Sequence, residues 1–330
     1  MLSNSYPKCI HSLNKWLQTC GKRQELYNKI NPQLFDVTLR DGLQTVSKEM
    51  EHLWTTQEKK IMYYRIKFNH HPKNIEIGSL ASQKLFPIFA DSLELHKSIK
   101  EDFTPTPKNS REENKIGMFL LAPTLNALKK ALDGNVDKFS LITSVSNAFQ
   151  KKNINKTLLE TKKELQLMCD ELQKDEKDEK YDKDNNKKHK HKVKLYISCI
   201  NDCPLTGQID NDYIVREILL YEKNQTIGEL CLSDTCGTLK FEDFEYILDN
   251  CLYFGLPAKK LSLHLHCSAK NLENTKQIIH YAFDKNINKF DVSMIEGGGC
   301  SMTISDEKCN NNLSYELFYR FLVDYIAKKI

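Results

Sequence analysis

No apolar run in this 330-residue chain approaches the ~20 residues that a membrane-spanning helix needs, so a membrane span is not expected. Nor is there a basic stripe interleaved with aromatics, and the net charge is only +4, so a nucleic-acid partner is not expected either. Paired CxxC units of the kind that build zinc sites are missing. Cys199 and Cys203 are too far apart for that spacing and have no matching second pair. The eleven cysteines are scattered and odd in number, and no secretory signal is visible, so they read as reduced thiols of an intracellular protein. The first 30 residues carry five Lys or Arg and one acidic residue, Glu25. Their modest apolar content points to the cytoplasm, with a mitochondrial transit peptide as the alternative.

What remains is the composition of a soluble globular protein, 40% hydrophobic and 28% charged. From residue 34 onward, short β-rich runs alternate with helical spacing. The runs are LFDVTL (34–39), NIEIGS (74–79), KIGMFLL (115–121), DKFSLIT (137–143), VKLYISC (193–199), IGELCLS (227–233), KLSLHLH (260–266) and KFDVSM (289–294). Eight strands, each followed by a helix, predict a (β/α)8 TIM barrel over 34–330, with 1–33 as an N-terminal extension. A doubly wound sheet is the competing layout, disfavoured because nothing is left over for a second domain. Two polar segments interrupt the repeat: a Pro-containing loop at 101–115 and a charged, His-rich run at 175–192. The second holds too few apolar residues to pack and reads as a disordered insertion, with His189 and His191 as solvated residues.

In such barrels the loops after the strands converge on one face, so polar residues at strand ends mark the site. Arg40 and Asp41 follow the first strand, Glu76 lies in the second, and Asp234 follows the sixth. His264 and His266 end the seventh, and Cys300 follows three glycines after the eighth. Residues i and i+2 of a strand share a face, so His264 and His266 project together. Two imidazoles, the Asp41 carboxylate and an amide oxygen make a mixed N/O donor set without thiolate. That set suits Mg²⁺ or Mn²⁺ better than closed tetrahedral zinc.

These motifs resemble the DRE-TIM metallolyases, most closely the 3-hydroxy-3-methylglutaryl-CoA lyases. The resemblance rests on RDGLQ (40–44), IEIGSLASQKLFPIFAD (75–91), SVSNAFQKKNIN (144–155), YISCINDCPLTGQI (196–209), LSDTCG (232–237), HLH (264–266), GGGC (297–300) and NLSYE (312–316), in order. It implies a metal-dependent retro-Claisen cleavage yielding acetyl-CoA. Asp41, His264, His266 and Asn312 would ligate the Mg²⁺ or Mn²⁺, with Asn310 and Asn311 as alternatives for the amide. Arg40 would face the enolate, Cys300 would protonate it, and Asp234 with His264 would take the hydroxyl proton; Glu76 completes the catalytic set. Gln44, Ser144, Lys151, Lys152 and Asn153 would meet the acyl-CoA, and a homodimer is the family's common assembly. The chain departs from the family pattern at Cys267 and Lys270 and in the loop SMTISDEKCNN that follows Cys300. A Claisen-type alkylmalate or homocitrate synthase and a catalytically impaired binding barrel are the competing functions.

Overall fold

The computed structural model describes residues 6–102, 116–178, 191–295, 297 and 311–330. Eight parallel strands close into a barrel: β1 (Gln33–Asp36), β2 (Asn74–Ser79), β3 (Gly117–Leu121), β4 (Lys138–Ser144), β5 (Lys192–Ser198), β8 (Glu229–Ser233), β9 (Leu261–His264) and β10 (Lys289–Val292). A short antiparallel hairpin, β6 (Asp202–Cys203) with β7 (Gly207–Gln208), stands on the loop after β5. The barrel predicted from the alternation is the fold observed. Four strands end sooner than expected: β1 stops at Asp36, β5 at Ser198, β9 at His264 and β10 at Val292.

Two helices, α1 (Ile10–Gln18) and α2 (Gly21–Ile30), precede the first strand. Around the barrel lie α3 (Thr56–His70), α4 (Ser92–Glu101), α5 (Leu125–Asp133), α6 (Asn147–Ile154), α7 (Leu158–Asp178), α8 (Asn211–Leu219), α9 (Phe241–Tyr253), α10 (Leu272–Asp284) and α11 (Tyr315–Lys329). Several start on a hydroxyl or carboxylate cap: Thr55, Thr124, Asp210 and Ser314 each accept a backbone N–H from the first turn. The main core lies between sheet and helices, where Ile75, Ile77, Leu141, Leu195, Leu232 and Leu263 turn outward from their strands. The barrel interior is different. A small apolar plug of Phe35, Val37 and Phe119 sits beside buried charges, among them Glu76, Lys194 and Asp291.

The N-terminal extension packs on the barrel through α1, which buries Leu13 and Leu17 in the main core. At the charged run 175–192, regular structure enters from both ends. α7 continues to Asp178, β5 opens at Lys192, and His191 is buried rather than solvated, its Nε2 2.9 Å from Asp175 Oδ2. The polar loop from 103 to 115 and the stretch 179–190, with His189, lie outside the described residues.

Burial pushes His70 and His96 down to about 4, so both stay neutral in the fold. An unfolded histidine protonates near about 6.5, so the unfolded state binds more protons between that pH and about 4, and stability falls as pH falls through this window. Each group then contributes a slope of about 1.4 kcal/mol per pH unit. Replacing His96 by Leu is expected to flatten the decline of the melting temperature between pH 6.5 and 5. An unchanged slope in the variant would contradict this account.

Candidate active site and metal centre

The chain leaves β1 in a π-helical turn, Thr38–Gly42, rather than as continued strand. The Val37 carbonyl accepts the amides of Arg40, Asp41 and Gly42 at 3.2, 2.8 and 3.1 Å. In a strand, successive side chains point to opposite faces. The wide turn instead aims both Arg40 and Asp41 at one cavity, in keeping with the frequent occurrence of single π-turns at functional sites. Gly42 allows the turn to seat against the segment after β10, since a Cβ there would lie 3.0 Å from the Ile295 Cβ.

Arg40 is clamped between two carboxylates: its Nε donates to Glu76 Oε2 and its Nη1 to Asp41 Oδ1. Tyr196 adds its hydroxyl to Glu76 Oε2 at 3.2 Å and lays its ring 5.0 Å from the guanidinium. Burial alone would weaken the charge on Arg40, but Glu76 and then Asp41 push its pKa still further up. Burial would likewise raise Asp41. Arg40, with His264 and His266, holds it well below the usual carboxylate range, so it is ionised.

The two histidines present matching faces. His264 Nε2 lies 3.8 Å and His266 Nε2 4.0 Å from Asp41 Oδ2. Each ring is fixed through its other nitrogen: His264 Nδ1 lies 3.2 Å from Asp291 Oδ2, and His266 Nδ1 lies 2.7 Å from the carbonyl of Asp234. His266 is pushed down to about 4, chiefly by burial and then by neighbouring His264, so it is neutral near pH 7. Asn312 arrives on a segment that runs back along the end of β9, forming a bridge with His266, and the amide of Leu313 donates to Leu265 O. Its Nδ2 donates to Gly297 O at 3.0 Å.

These residues suit a divalent cation. Asp41, His264 and His266 form a group whose ligand atoms all lie within 4.8 Å of one another. Among the described residues, the buried Nε2 of His266 and Oδ1 of Asn312 have no hydrogen-bond partner. A buried, unsatisfied lone pair is costly unless something else fills it. Asn311 is exposed, and Asn310 lies outside the described residues, as does Cys300.

A cavity of about 450 Å³ opens over this centre, lined by Arg40, Asp41, His264 and His266 and also by Phe86, Phe89 and Phe149. Of the expected acyl-CoA contacts, Gln44, Lys152 and Asn153 line it. Ser144 does not. Its hydroxyl donates to Ser198 O and accepts the Ser146 amide, which ties down the end of β4. Lys151 is exposed and lies away from the cavity lining; with Lys152 it belongs to the last turn of α6. Glu76 acts on Arg40 rather than facing the cavity. Asp234 Oδ1 accepts the amides of Thr238 and Leu239 at 3.1 and 3.3 Å, and the residue is not in the cavity lining. Tyr196, Lys194 and Asp291 were missed. Their signal was available in VKLYISC and KFDVSM, where polar residues occupy alternate positions of otherwise apolar strands.

No protein-family model matches the chain. It is 26% identical over 232 residues to the hydroxymethylglutaryl-CoA lyase of Bacillus subtilis, covering 70% of this chain and 67% of the relative. It is also 26% identical over 232 residues to a 3-hydroxy-3-isohexenylglutaryl-CoA/hydroxymethylglutaryl-CoA lyase of Pseudomonas aeruginosa, covering 68% of this chain and 65% of the relative. The matched region thus spans about two thirds of these curated relatives. Among solved structures, an HMG-CoA lyase from Acinetobacter baumannii in complex with coenzyme A and 3-methylmalate superimposes with a TM-score of 0.69 at 20% identity, covering 90% of this chain and 84% of that one. The fold is a (β/α)8 barrel, and the relatives it resembles in sequence are named as lyases. In sequence the chain is similar to hydroxymethylglutaryl-CoA lyases.

The donor geometry predicts metal binding directly. Mn²⁺ titrated against the metal-free protein is expected to bind at one tight site, and His266→Ala to weaken it by at least about 10-fold, since one of few inner ligands is lost. His71→Ala, on an exposed residue, serves as the control. Equal affinity in the His266 variant and the wild type would rule the site out.

Proposed function

We propose that this protein cleaves 3-hydroxy-3-methylglutaryl-CoA, or a closely related 3-hydroxyacyl-CoA, to acetyl-CoA and a keto acid, acetoacetate in the first case. The observation that carries the reading is the joint presentation of Arg40, Asp41, His264 and His266 to one cavity. A retro-Claisen cleavage needs a base for the tertiary hydroxyl, a cation where the enolate forms, and an acid for the departing carbon. Asp41, His264, His266 and Asn312 would hold a Mg²⁺ or Mn²⁺. Such an ion, when bound, orients the substrate oxygens and polarises them.

The rest falls to the chain's own residues. Asp234 takes the hydroxyl proton together with His264, which lines the cavity; backbone amides of Thr238 and Leu239 on Asp234 Oδ1 fix the carboxylate. The C2–C3 bond then breaks and its electron pair moves onto the thioester as an enolate. Arg40, held rigid by Glu76, faces that developing charge without having to reorganise. Cys300 donates the proton that completes acetyl-CoA. Gln44, Lys152 and Asn153 receive the coenzyme, and the aromatic wall excludes water from the enolate. A cytoplasmic location and a homodimer complete the reading.

Acetyl-CoA release from hydroxymethylglutaryl-CoA is the test. Turnover is expected only with Mg²⁺ or Mn²⁺, and Arg40→Met is expected to lower kcat by about 100- to 1,000-fold, the usual effect of deleting a group that stabilises an oxyanion. Cys300→Ala should abolish release. A protein that is silent in all forms yet binds Mn²⁺ would favour a different acyl-CoA or a binding barrel, and one that condenses acetyl-CoA with a keto acid would favour a synthase.

The same assay carries a pH signature. Burial pushes the Asp234 carboxyl up to about 7 against the backbone amides that lower it. As a base it works only when ionised, so kcat/KM is expected to rise with pH through about 7. Asp234→Asn should remove that limb together with about 100-fold or more of the rate. A limb that persists in the variant would assign the base elsewhere.

A further inference from the structure

Beneath the site, inside the barrel, a lysine and an aspartate that the proposed reaction does not use form a buried ion pair. Lys194 on β5 and Asp291 on β10 are 1% and 2% exposed, and Lys194 Nζ donates to Asp291 Oδ1. Lys194 Nζ also lies 3.7 Å from the centre of the Phe35 ring and 3.4 Å from Glu229 Oε1. The second oxygen of Asp291, Oδ2, lies 3.2 Å from His264 Nδ1, with the Cys231 thiol 3.7 Å away.

Stability does not explain the pair. Removing two charges from water is expensive, and apolar replacements of similar volume are commonly neutral or stabilising. What the pair supplies, and an apolar filling would not, is an acceptor for His264. The contrast with His266 is informative. That ring is fixed by the backbone carbonyl of Asp234, whereas His264 finds its acceptor in a side chain brought from β10.

We propose that Lys194 and Asp291 together position His264: Asp291 holds its Nδ1–H, which leaves Nε2 aimed at Asp41, and Lys194 anchors the carboxylate from the far wall of the barrel. Both are positioning residues, since neither lines the cavity. The inference rests on the metal-centre reading above. It extends that reading through a layer of the barrel to Lys194, which belongs to neither the cavity lining nor the proposed ligand set. Orientation of metal-binding histidines by carboxylates is a general device. In this chain the carboxylate is itself held by a buried cation.

Removing Asp291 alone would strand the Lys194 charge, so the test uses the paired replacement Lys194→Met with Asp291→Leu. Glu229 keeps a cationic partner in that variant, because Lys289 Nζ on β10 lies 3.3 Å from its Oε2. Three readouts are compared between wild type and variant: Mn²⁺ affinity from the electron paramagnetic resonance of the free ion, the melting temperature in EDTA, and the ¹⁵N shifts of the His264 ring. The wild type is expected to show one tautomer, protonated at Nδ1. The variant is expected to keep its melting temperature, lose the single tautomer and bind Mn²⁺ about 10- to 100-fold more weakly.

Wild-type Mn²⁺ affinity in a folded variant overturns the proposal and leaves the metal centre standing. A wild-type His264 protonated at Nε2 in the metal-free protein overturns it whether or not the variant folds. A wild type that binds no Mn²⁺ removes the metal centre, and the proposal with it.

Discussion

One backbone carbonyl, that of Val37, accepts three successive amides, and the site depends on the turn this creates. An extended strand would send Arg40 and Asp41 to opposite faces, one toward the cavity and one toward the helices. The π-turn brings both inward, and the clamp of Glu76 on Arg40 then fixes where the guanidinium stands. Asp41 is left able to serve the arginine and the two imidazoles together. The glycine at position 42 suits the same constraint, because a Cβ there would crowd the Ile295 side chain at 3.0 Å.

Charge inside the barrel is organised in pairs. Arg40 lies against Glu76 and Asp41 near the cavity, and Lys194 lies against Asp291 and Glu229 below it. An isolated ion in such a space would neutralise by shifting its pKa. Pairing instead keeps both aspartates ionised: Lys194 and His264 hold Asp291 below the ordinary carboxylate range despite its burial. The imidazole of His266 has no such carboxylate partner at Nδ1 and is kept neutral by burial. Neutral imidazole and ionised carboxylate are the forms in which these side chains bind a cation.

Much of this was legible in the residues. Alternation over eight short runs specifies a barrel, because each run needs a helix to cover its outer face. The i, i+2 spacing of His264 and His266 puts both on one face wherever the strand goes. Less legible were segments whose conformation is decided by distant partners. α7 runs on into the charged stretch because Asp175 and Glu176 meet His191 across the fold. α1 enters the core through Leu13 and Leu17, although it lies outside the repeat that follows.

The residues by themselves determined the order of strands and helices, the two histidines on one face and the polar types at the strand ends. These are local properties, set by periodicity and by which side chains can be buried. Only the tertiary structure decided that the strand through Thr38 would become a π-turn, that Asn312 would return to His266, and that Asp291 would stand between Lys194 and His264. Each depends on closing the barrel, which brings β1 beside β10 and sets β5 across from both. Alternation along a strand shows which residues share a face, but not which of them will meet across strands so far apart in the chain.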